Sequence, residues 1–303
     1  MPGEPGGYLP EADRKEGELM SRDMSGINGE KERKSRYRSG AAGKSNGRRR
    51  TSGPHLWLAE QRKLRTRYVW IVPVGFLALL LLWMLVTVRN FNSLDRDSGY
   101  QYMLYSMSVM NAIFMPVMLS VVASRLCDME IKGNTLKLLY TLERPGRFYD
   151  IKYLFELKYL IAFSGGETLG LIVLGKITGF TEPVRPAMFA EHFIAITAVG
   201  AVILSIQHLL SLMSDNQILP LIVGIAGGFL GLFSMFFPVA VNRLILWGYF
   251  GIFSVAAVDW QRTTDETMYL YYRHLPAARF AVFLIAGIVI YLIGKQIFLR
   301  KEV

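Results

Sequence analysis

Long apolar runs occupy the last four-fifths of the chain, and short polar segments separate them. Six of these runs approach or exceed the roughly 20 residues that a helix needs to cross a ~30 Å hydrocarbon core. They cover residues 68–88, 102–123, 159–175, 193–213, 218–241 and 280–299. Four runs contain no charged residue, whereas the third holds Glu167 and the sixth holds Lys295. Because no soluble fold explains six such runs, the pattern predicts an all-α integral membrane protein with six transmembrane helices.

A seventh apolar run, residues 244–258, follows the polar pair Asn242-Arg243 and is shorter than the others. Its length is too small for a full crossing and is typical of a segment that re-enters or lies along the membrane. We therefore expect a re-entrant segment before span six. The first run begins too late in the chain to be a signal peptide, so we expect it to remain as the first span.

The charged residues lie mostly outside the apolar runs. The chain is 52% hydrophobic and 19% charged, and 16 of its 34 Lys and Arg residues lie in residues 1–67. Residues 1–55 are rich in Gly, Ser, Arg, Lys and Glu and predict a disordered basic tail. The basic block 31–67 suits either a solvated anchor on the positive side of the membrane or attraction to anionic membrane lipid. This uneven charge excludes a uniformly basic nucleic-acid-binding domain, and no nucleic-acid partner is expected.

The distribution of Lys and Arg predicts the orientation. With the N-terminus in the cytoplasm, the flanks at 62–67, 124–158 and the C-terminal end carry 14 Lys and Arg residues, against 8 in the outer loops. The excess of positive charge marks the cytoplasmic side. We therefore expect a multi-pass protein of the cell membrane with both termini in the cytoplasm.

Two kinds of bound group are not expected on this chain. Residues 40–45, Gly-Ala-Ala-Gly-Lys-Ser, resemble the end of a phosphate-binding loop, but Arg38 stands where that motif needs glycine and no strand precedes it. A nucleotide would then have to bind another chain. Cys127 is the single cysteine and the four histidines form no H-E-x-x-H motif, so no metal site is expected.

The polar loop between spans two and three predicts a short amphipathic helix. Asn134 or Thr135 can cap its start, and Leu136, Leu139 and Tyr140 form one apolar stripe at helical spacing. Pro145-Gly146 would end it. Such a helix either lies on the membrane surface or docks into a groove of a partner protein.

Three motifs flank the first spans. They are Glu60-x-x-Lys63-Leu64-Arg65-Thr66, then Glu130-x-x-x-Asn134-Thr135-x-Lys137, and then Pro145-x-Arg147 with Lys152. Together they resemble the permeases of ABC-2 type ABC transporters, and they are most similar to those of lantibiotic or bacteriocin immunity exporters. The resemblance covers about residues 56–303, which we take as the permease domain, and it leaves residues 1–55 as an extension.

The resemblance implies a non-catalytic permease subunit that pairs with a second permease, the same or different, and with separate ATPase subunits. ATP and Mg would then bind the ATPase, and no cofactor would bind this chain. The exported substrate would be amphipathic, with a lantibiotic-like peptide as one possibility, and the membrane would be bacterial. The loop helix would be the coupling helix on the ATPase, and the re-entrant segment would lie on the outer side. The coupling residues would be Glu130, Asn134, Thr135, Leu136, Lys137, Leu139, Tyr140 and Arg147.

Polar and soft residues within the runs are candidates for the substrate path. Glu167 lies about 12 Å into span three by helical rise, and Asn111 lies within span two. Either residue can serve helix packing or line a polar path. Met107 and Met110 belong to a methionine-rich face of span two, which suits ordinary packing or a yielding cavity wall.

Span five carries small residues at the spacing that allows close helix approach. Gly224, Gly227, Gly228 and Gly231 form two overlapping G-x-x-x-G patterns. Packing within the subunit is one interpretation, and dimer contact is what the family resemblance implies. Two other functions stay open from the residues alone: a membrane scaffold without transport, and an intramembrane protease that pairs Ser164 with His208.

Overall fold

A computed structural model describes Gly3 and residues 68–132, 145–263 and 268–300. The described residues form a helical bundle with one two-stranded hairpin. The helices are α1 Ile71–Val88, α2 Ser93–Arg96, α3 Gly99–Lys132, α4 Pro145–Ile177, α5 Pro186–Met213, α6 Ile218–Ser234, α7 Val239–Asn242, α8 Tyr249–Ile252 and α9 Ala277–Leu299. A 3-10 turn, Leu246–Gly248, precedes α8, and the strands are β1 Ala256–Val258 and β2 Leu270–Tyr272.

Five of the described helices are long and apolar enough to cross a membrane: α1, α3, α4, α5 and α9. This confirms the prediction of a helical integral membrane protein. The predicted fifth span, 218–241, is a shorter helix, because α6 has 17 residues and ends at Ser234. At 1.5 Å per residue it is about 25 Å long, less than the ~30 Å core. The count of six spans therefore stays a prediction.

Helices α3 and α4 extend well beyond their predicted runs. The third run was expected to begin at residue 159, but α4 begins at Pro145 and has 33 residues. Proline is tolerated in the first turn of a helix, where its missing N–H has no intrahelical partner to lose. Three charged residues of the added turns, Asp150, Lys152 and Glu156, are partly or fully buried against other helices, which a loop would not provide.

The expected re-entrant segment is built from several short elements. The run 244–258 contains the 3-10 turn, α8 and β1, and β1 pairs antiparallel with β2 so that Ala256 faces Tyr272. Phe250 and Phe253 are buried in the bundle core. We call this end of the bundle, with loop 178–185 and residues 235–276, the hairpin end. The opposite end holds the start of α4 and the last turn of α9.

Helix α3 lies at the centre of the bundle and packs closely against α6 through backbone. A Cβ added to Gly228 would lie 2.6 Å from the carbonyl oxygen of Ile113, and one on Gly231 would lie 3.1 Å from that of Ala112. Pro116 lies inside α3 and has no N–H to offer the carbonyl of Ala112, which is four residues before it. The glycine stripe thus lies over the part of α3 where the proline weakens the helical ladder.

The glycines of α6 therefore contact residues of the same chain. Gly224 meets Ser120 and Pro116 of α3, and Gly227 meets the indole of Trp247. A dimer contact through these glycines stays a prediction, and it would have to share a surface that this chain already covers. The other face of α6 exposes large apolar side chains, among them Phe229 and Phe233.

Candidate functional site: two buried clusters and a polar hairpin end

Three polar side chains from three spans meet near the middle of the bundle. We call Asn111 of α3, Glu167 of α4 and His192 of α5 the mid-bundle cluster. Asn111 Nδ2 donates to Glu167 Oε1 at 2.8 Å, and His192 Nε2 lies 3.2 Å from the same oxygen. Each of the three side chains is at most 1% exposed. The sequence prediction named Asn111 and Glu167 separately, and the fold brings them into direct contact.

The mid-bundle cluster is only partly satisfied. Within the described part of the chain, Glu167 Oε2 and Asn111 Oδ1 have no hydrogen-bond partner. Leaving a buried polar atom unpaired costs about 1–3 kcal/mol, and a charged one costs more. His192 offers a compensating charge if both of its ring nitrogens carry protons, and a neutral donor if Nε2 alone does. Among the described residues, the cluster therefore leaves one oxygen of the Glu167 carboxyl group without a hydrogen bond.

The two methionines of the predicted path are in different surroundings. Met107 is fully buried in the main core. Met110 is half-buried and lines a groove of about 270 Å³ between α1 and α3. The same groove is lined by Trp83, Tyr102 and Tyr105. The methionine face of α3 thus reaches from the core to a cavity that is open to the surroundings.

A second buried cluster lies nearer the opposite end of the bundle. We call Cys127 of α3, Glu156 of α4 and His208 of α5 the Cys127 cluster; all three are fully buried. His208 Nδ1 lies 3.0 Å from Glu156 Oε1, and Cys127 Sγ donates to the same oxygen at 3.7 Å. Lys152, one turn before Glu156, donates from Nζ to the Leu126 carbonyl at 3.2 Å.

Among the described residues, the Cys127 cluster has the geometry of a possible metal site. One ligand atom from each of its three residues lies within 4.8 Å of the others. Thiolate, imidazole and carboxylate together suit zinc. However, the carboxyl group of Glu156 already has a partner in His208, whose Nδ1 lies 2.9 Å from Oε2. The expectation that this chain binds no metal stays a prediction.

The protease alternative is not supported by the geometry. Ser164 is buried on α4, but its Oγ has no hydrogen-bond partner in the described part of the chain. His208 instead bonds to Glu156 and packs its ring against Tyr149 at 4.5 Å. A serine nucleophile needs a base within hydrogen-bond reach, and His208 does not provide it.

The hairpin end is held by a buried acid, Glu182, which the sequence analysis did not single out. Gly179, at φ +75°, reverses the chain after α4 and leads into the loop that carries Glu182. One carboxylate oxygen accepts from the backbone N–H of Tyr100 at 2.8 Å, and the other accepts from Tyr272 OH at 2.6 Å. Glu182 therefore caps α3 and ties it to β2. Burial, with the hydrogen bond to Glu182, raises the pKa of Tyr272.

Two further polar contacts hold the chain between α6 and α9. Arg273 donates from Nε to the Ser254 carbonyl at 2.7 Å and from NH2 to the Gly251 carbonyl at 2.7 Å. The guanidinium group of Arg273 thus supplies donors to backbone oxygens in α8 and just after it. Glu191 of α5 accepts from the backbone N–H of Leu275 at 2.9 Å and lies 2.7 Å from His274 Nδ1.

The predicted coupling segment is described only in part. Glu130 falls in the last turn of α3, and Arg147 lies exposed in the first turns of α4. The other predicted coupling residues, Asn134, Thr135, Leu136, Lys137, Leu139 and Tyr140, lie outside the described residues. The coupling helix therefore stays a prediction.

Comparison with known proteins gives one family. A family model for ABC-2 family transporter proteins matches residues 56–231, which is more than half of the chain. No curated protein matches the chain. Members of this family are generally non-catalytic transmembrane subunits that work with an ABC ATPase. The matched residues include α1 and the three helices α3, α4 and α5, which carry both buried clusters. The chain therefore belongs to the ABC-2 transporter family and is a multi-pass membrane protein.

Proposed function

We propose that this chain is the permease subunit of an ATP-binding cassette exporter that moves an amphipathic substrate outward, a lantibiotic-like peptide being one candidate. A separate ATPase subunit, which binds ATP and Mg, supplies the energy, and a second permease, identical or different, completes the channel. Family membership and the apolar helices support the general role. The mid-bundle cluster is the observation that carries the transport role for this chain.

The position of the mid-bundle cluster supports a role in opening the path. Asn111, Glu167 and His192 come from three different spans, and all are buried in the closed bundle. Ionisable groups at membrane depth are costly, and they are common along the substrate and proton paths of transporters. Separation of α3 from α4 and α5 would expose these three groups together with the methionine face of α3. The resulting wall has one polar patch within a soft apolar surface, which suits an amphipathic substrate.

The unpaired oxygens make this opening less costly. In the closed bundle, Glu167 Oε2 and Asn111 Oδ1 lack hydrogen bonds within the described part of the chain. Water or a cationic substrate group would pair them in the open state, and that gain is about 1–3 kcal/mol for each atom. A fully satisfied cluster would instead hold the three helices closed. Because the hydrogen bonds of the mid-bundle cluster are incomplete, the bundle can alternate more easily between the closed and the open state.

The test is export by Glu167→Gln in proteoliposomes that contain the ATPase partner. Gln keeps the shape of the side chain and can keep the bond from Asn111, but it removes the charge. We expect lower export with unchanged expression and unchanged assembly with the ATPase. Thr168→Val is the matched control, because Thr168 is the next residue and its hydroxyl bonds within its own helix, to Ser164 O. Wild-type export by Glu167→Gln at several pH values would return Glu167 to a packing role.

The scaffold alternative gives a different result in the same assay. A scaffold would show neither substrate-dependent ATPase activity nor export, whichever variant is used.

We also propose that residues 130–147 contact the ATPase, with Leu136, Leu139 and Tyr140 filling a groove. Tyr140→Asp should then uncouple ATP hydrolysis from export while the spans still insert. Unchanged recovery of the complex and unchanged export would contradict that contact.

A further inference from the structure

An apolar groove at the hairpin end runs down the outside of the bundle. Its volume is about 510 Å³, which lies within the range of sites that hold drug-sized ligands. Three parts of the chain line it: α5 at Val202, the segment 243–253, and α9. The α9 positions are Ala278, Arg279, Val282, Phe283, Ala286 and Ile290. Their spacing of three and four residues places them on one face of the helix.

The length of the groove matches one leaflet of a bilayer. From Arg279 to Ile290 is 11 residues, or about 16 Å along α9. Half of a ~30 Å hydrocarbon core is about 15 Å. Arg279 lies in the first turn of α9, where the span leaves the polar region, and Ile290 lies near the depth of the bilayer centre. The groove therefore has a polar upper end and an apolar body one leaflet deep.

The upper end of the groove is positively charged. Arg243 and Arg279 both line it, both are exposed, and neither forms an ion pair with another described residue. Among the described acids at this end of the bundle, Glu191 pairs with His274 and Asp259 pairs with Arg262. Burial and the positive charge of Arg279 both lower the pKa of the nearby Arg273. Arg243 and Arg279 thus place two positive charges at the upper end of the groove, where an anion would pair with them.

We infer that this groove binds an anionic phospholipid, with the phosphate at Arg243 and Arg279 and one acyl chain along α9. Guanidinium groups suit phosphate because their planar donors match its oxygens. The apolar walls, formed by Leu244, Val282 and Phe283 among others, suit an acyl chain. A zwitterionic lipid offers the same chain but adds a cation beside the arginines. The site therefore selects headgroup charge, in the leaflet that the Lys and Arg distribution predicts to be the outer one.

The experiment measures lipid retention on the full chain by native mass spectrometry. Purified protein is titrated with phosphatidylglycerol or with phosphatidylcholine of the same acyl chains. We expect tighter binding of phosphatidylglycerol, and about a fivefold loss of affinity for each of Arg243→Gln and Arg279→Gln. Arg262→Gln is the matched control, because Arg262 is exposed at the same end but does not line the groove.

Two further measurements distinguish the binding of a lipid from the binding of a free anion. Ala286→Phe leaves both arginines intact and fills the apolar body of the groove, so it should weaken lipid binding without changing charge. Excess inorganic phosphate should compete poorly, because it lacks the chain. Equal affinity for the two lipids, equal loss in Arg262→Gln, or full displacement by inorganic phosphate would each overturn the assignment. None of these outcomes depends on export, so the proposed transport role is tested separately.

Discussion

A single methyl group at Gly228 should push α6 away from α3. A Cβ at this position would lie 2.6 Å from the carbonyl oxygen of Ile113 and 3.4 Å from its carbonyl carbon. Ordinary van der Waals contact begins at about 3.4 Å, so the two helices would have to separate by roughly 0.8 Å. The obstacle is backbone on a central helix, and no side-chain rotation can relieve it. Gly228→Ala is therefore expected to destabilise the bundle.

The size of the effect follows from comparison with Gly75 of α1. A Cβ at Gly75 would meet nothing within 4 Å. Both substitutions gain the same helix propensity, about 1 kcal/mol for Gly to Ala, so the difference between the two variants isolates the clash. Overpacking of this kind costs about 1–3 kcal/mol. We expect Gly228→Ala to unfold at a temperature about 2–10 °C below that of Gly75→Ala.

The assay is thermal unfolding of the two purified variants in the same detergent, followed by loss of the monodisperse species on size exclusion. Equal melting temperatures would refute the close packing of α6 on α3 within one chain. A dimer contact through the same glycine would give another pattern, in which Gly228→Ala loses the dimer while the melting temperature of the monomer stays unchanged. The two interpretations of the glycine stripe are thus separated by one pair of variants.

Three further predictions concern the hairpin end. Glu182→Ala should lower the free energy of unfolding by about 2–5 kcal/mol, because the cap of α3 and the Tyr272 hydroxyl lose their acceptor; chemical denaturation of wild type and variant checks this. Arg273→Gln should remove the guanidinium donors to the carbonyls of Gly251, Ile252 and Ser254 and make the segment after α6 more sensitive to limited proteolysis, which peptide mapping would locate. The raised pKa of Tyr272 means that its bond to Glu182 stabilises the fold fully below its ordinary pKa of 10.0 and loses that contribution as the pH rises further. Tyr272→Phe should therefore show a shallower loss of stability above pH 10 than wild type, and an equal slope would contradict this assignment.

The helical membrane fold could be predicted from the sequence, because uncharged apolar runs of this length have one common explanation. The predicted runs at 68–88, 193–213 and 280–299 correspond to α1, α5 and α9. Their ends agree within three residues, except that α5 begins at Pro186, seven residues before its run. The prediction of a continuous helix over the fifth run, 218–241, was wrong at its C-terminal end. Residues 235–241 are mostly apolar, but they leave the helix after Ser234 and form turns and a short helix. Hydropathy does not distinguish a continuous helix from turns followed by a short helix.

The partners of buried charges could not be predicted, because they are distant in sequence. Glu156 was assigned to a cytoplasmic flank, since charged neighbours surround it and its partner His208 lies 52 residues away. His192 lies one residue before the fourth run, and it bonds to Glu167, which is 25 residues away in the chain. A pattern does exist for both: each acid lies on one span and each histidine on the next. Pairing acids with histidines across neighbouring spans would have suggested both clusters.

The length of α4 has a mechanical consequence. This one unbroken helix runs from Pro145, beside the predicted coupling segment, past Glu156 to Glu167, which is 22 residues or about 33 Å further on. A helix is stiff along its axis, because each hydrogen bond would have to stretch to shorten or lengthen it. At its lower end, α4 is fastened to α9 through Asp150, which bonds to Lys295 at 2.7 Å and to Tyr291 at 2.6 Å. A force applied at Pro145 would therefore move α4 as a rigid rod that pivots at Asp150. The same motion would displace the carboxyl group of Glu167 relative to Asn111 and His192.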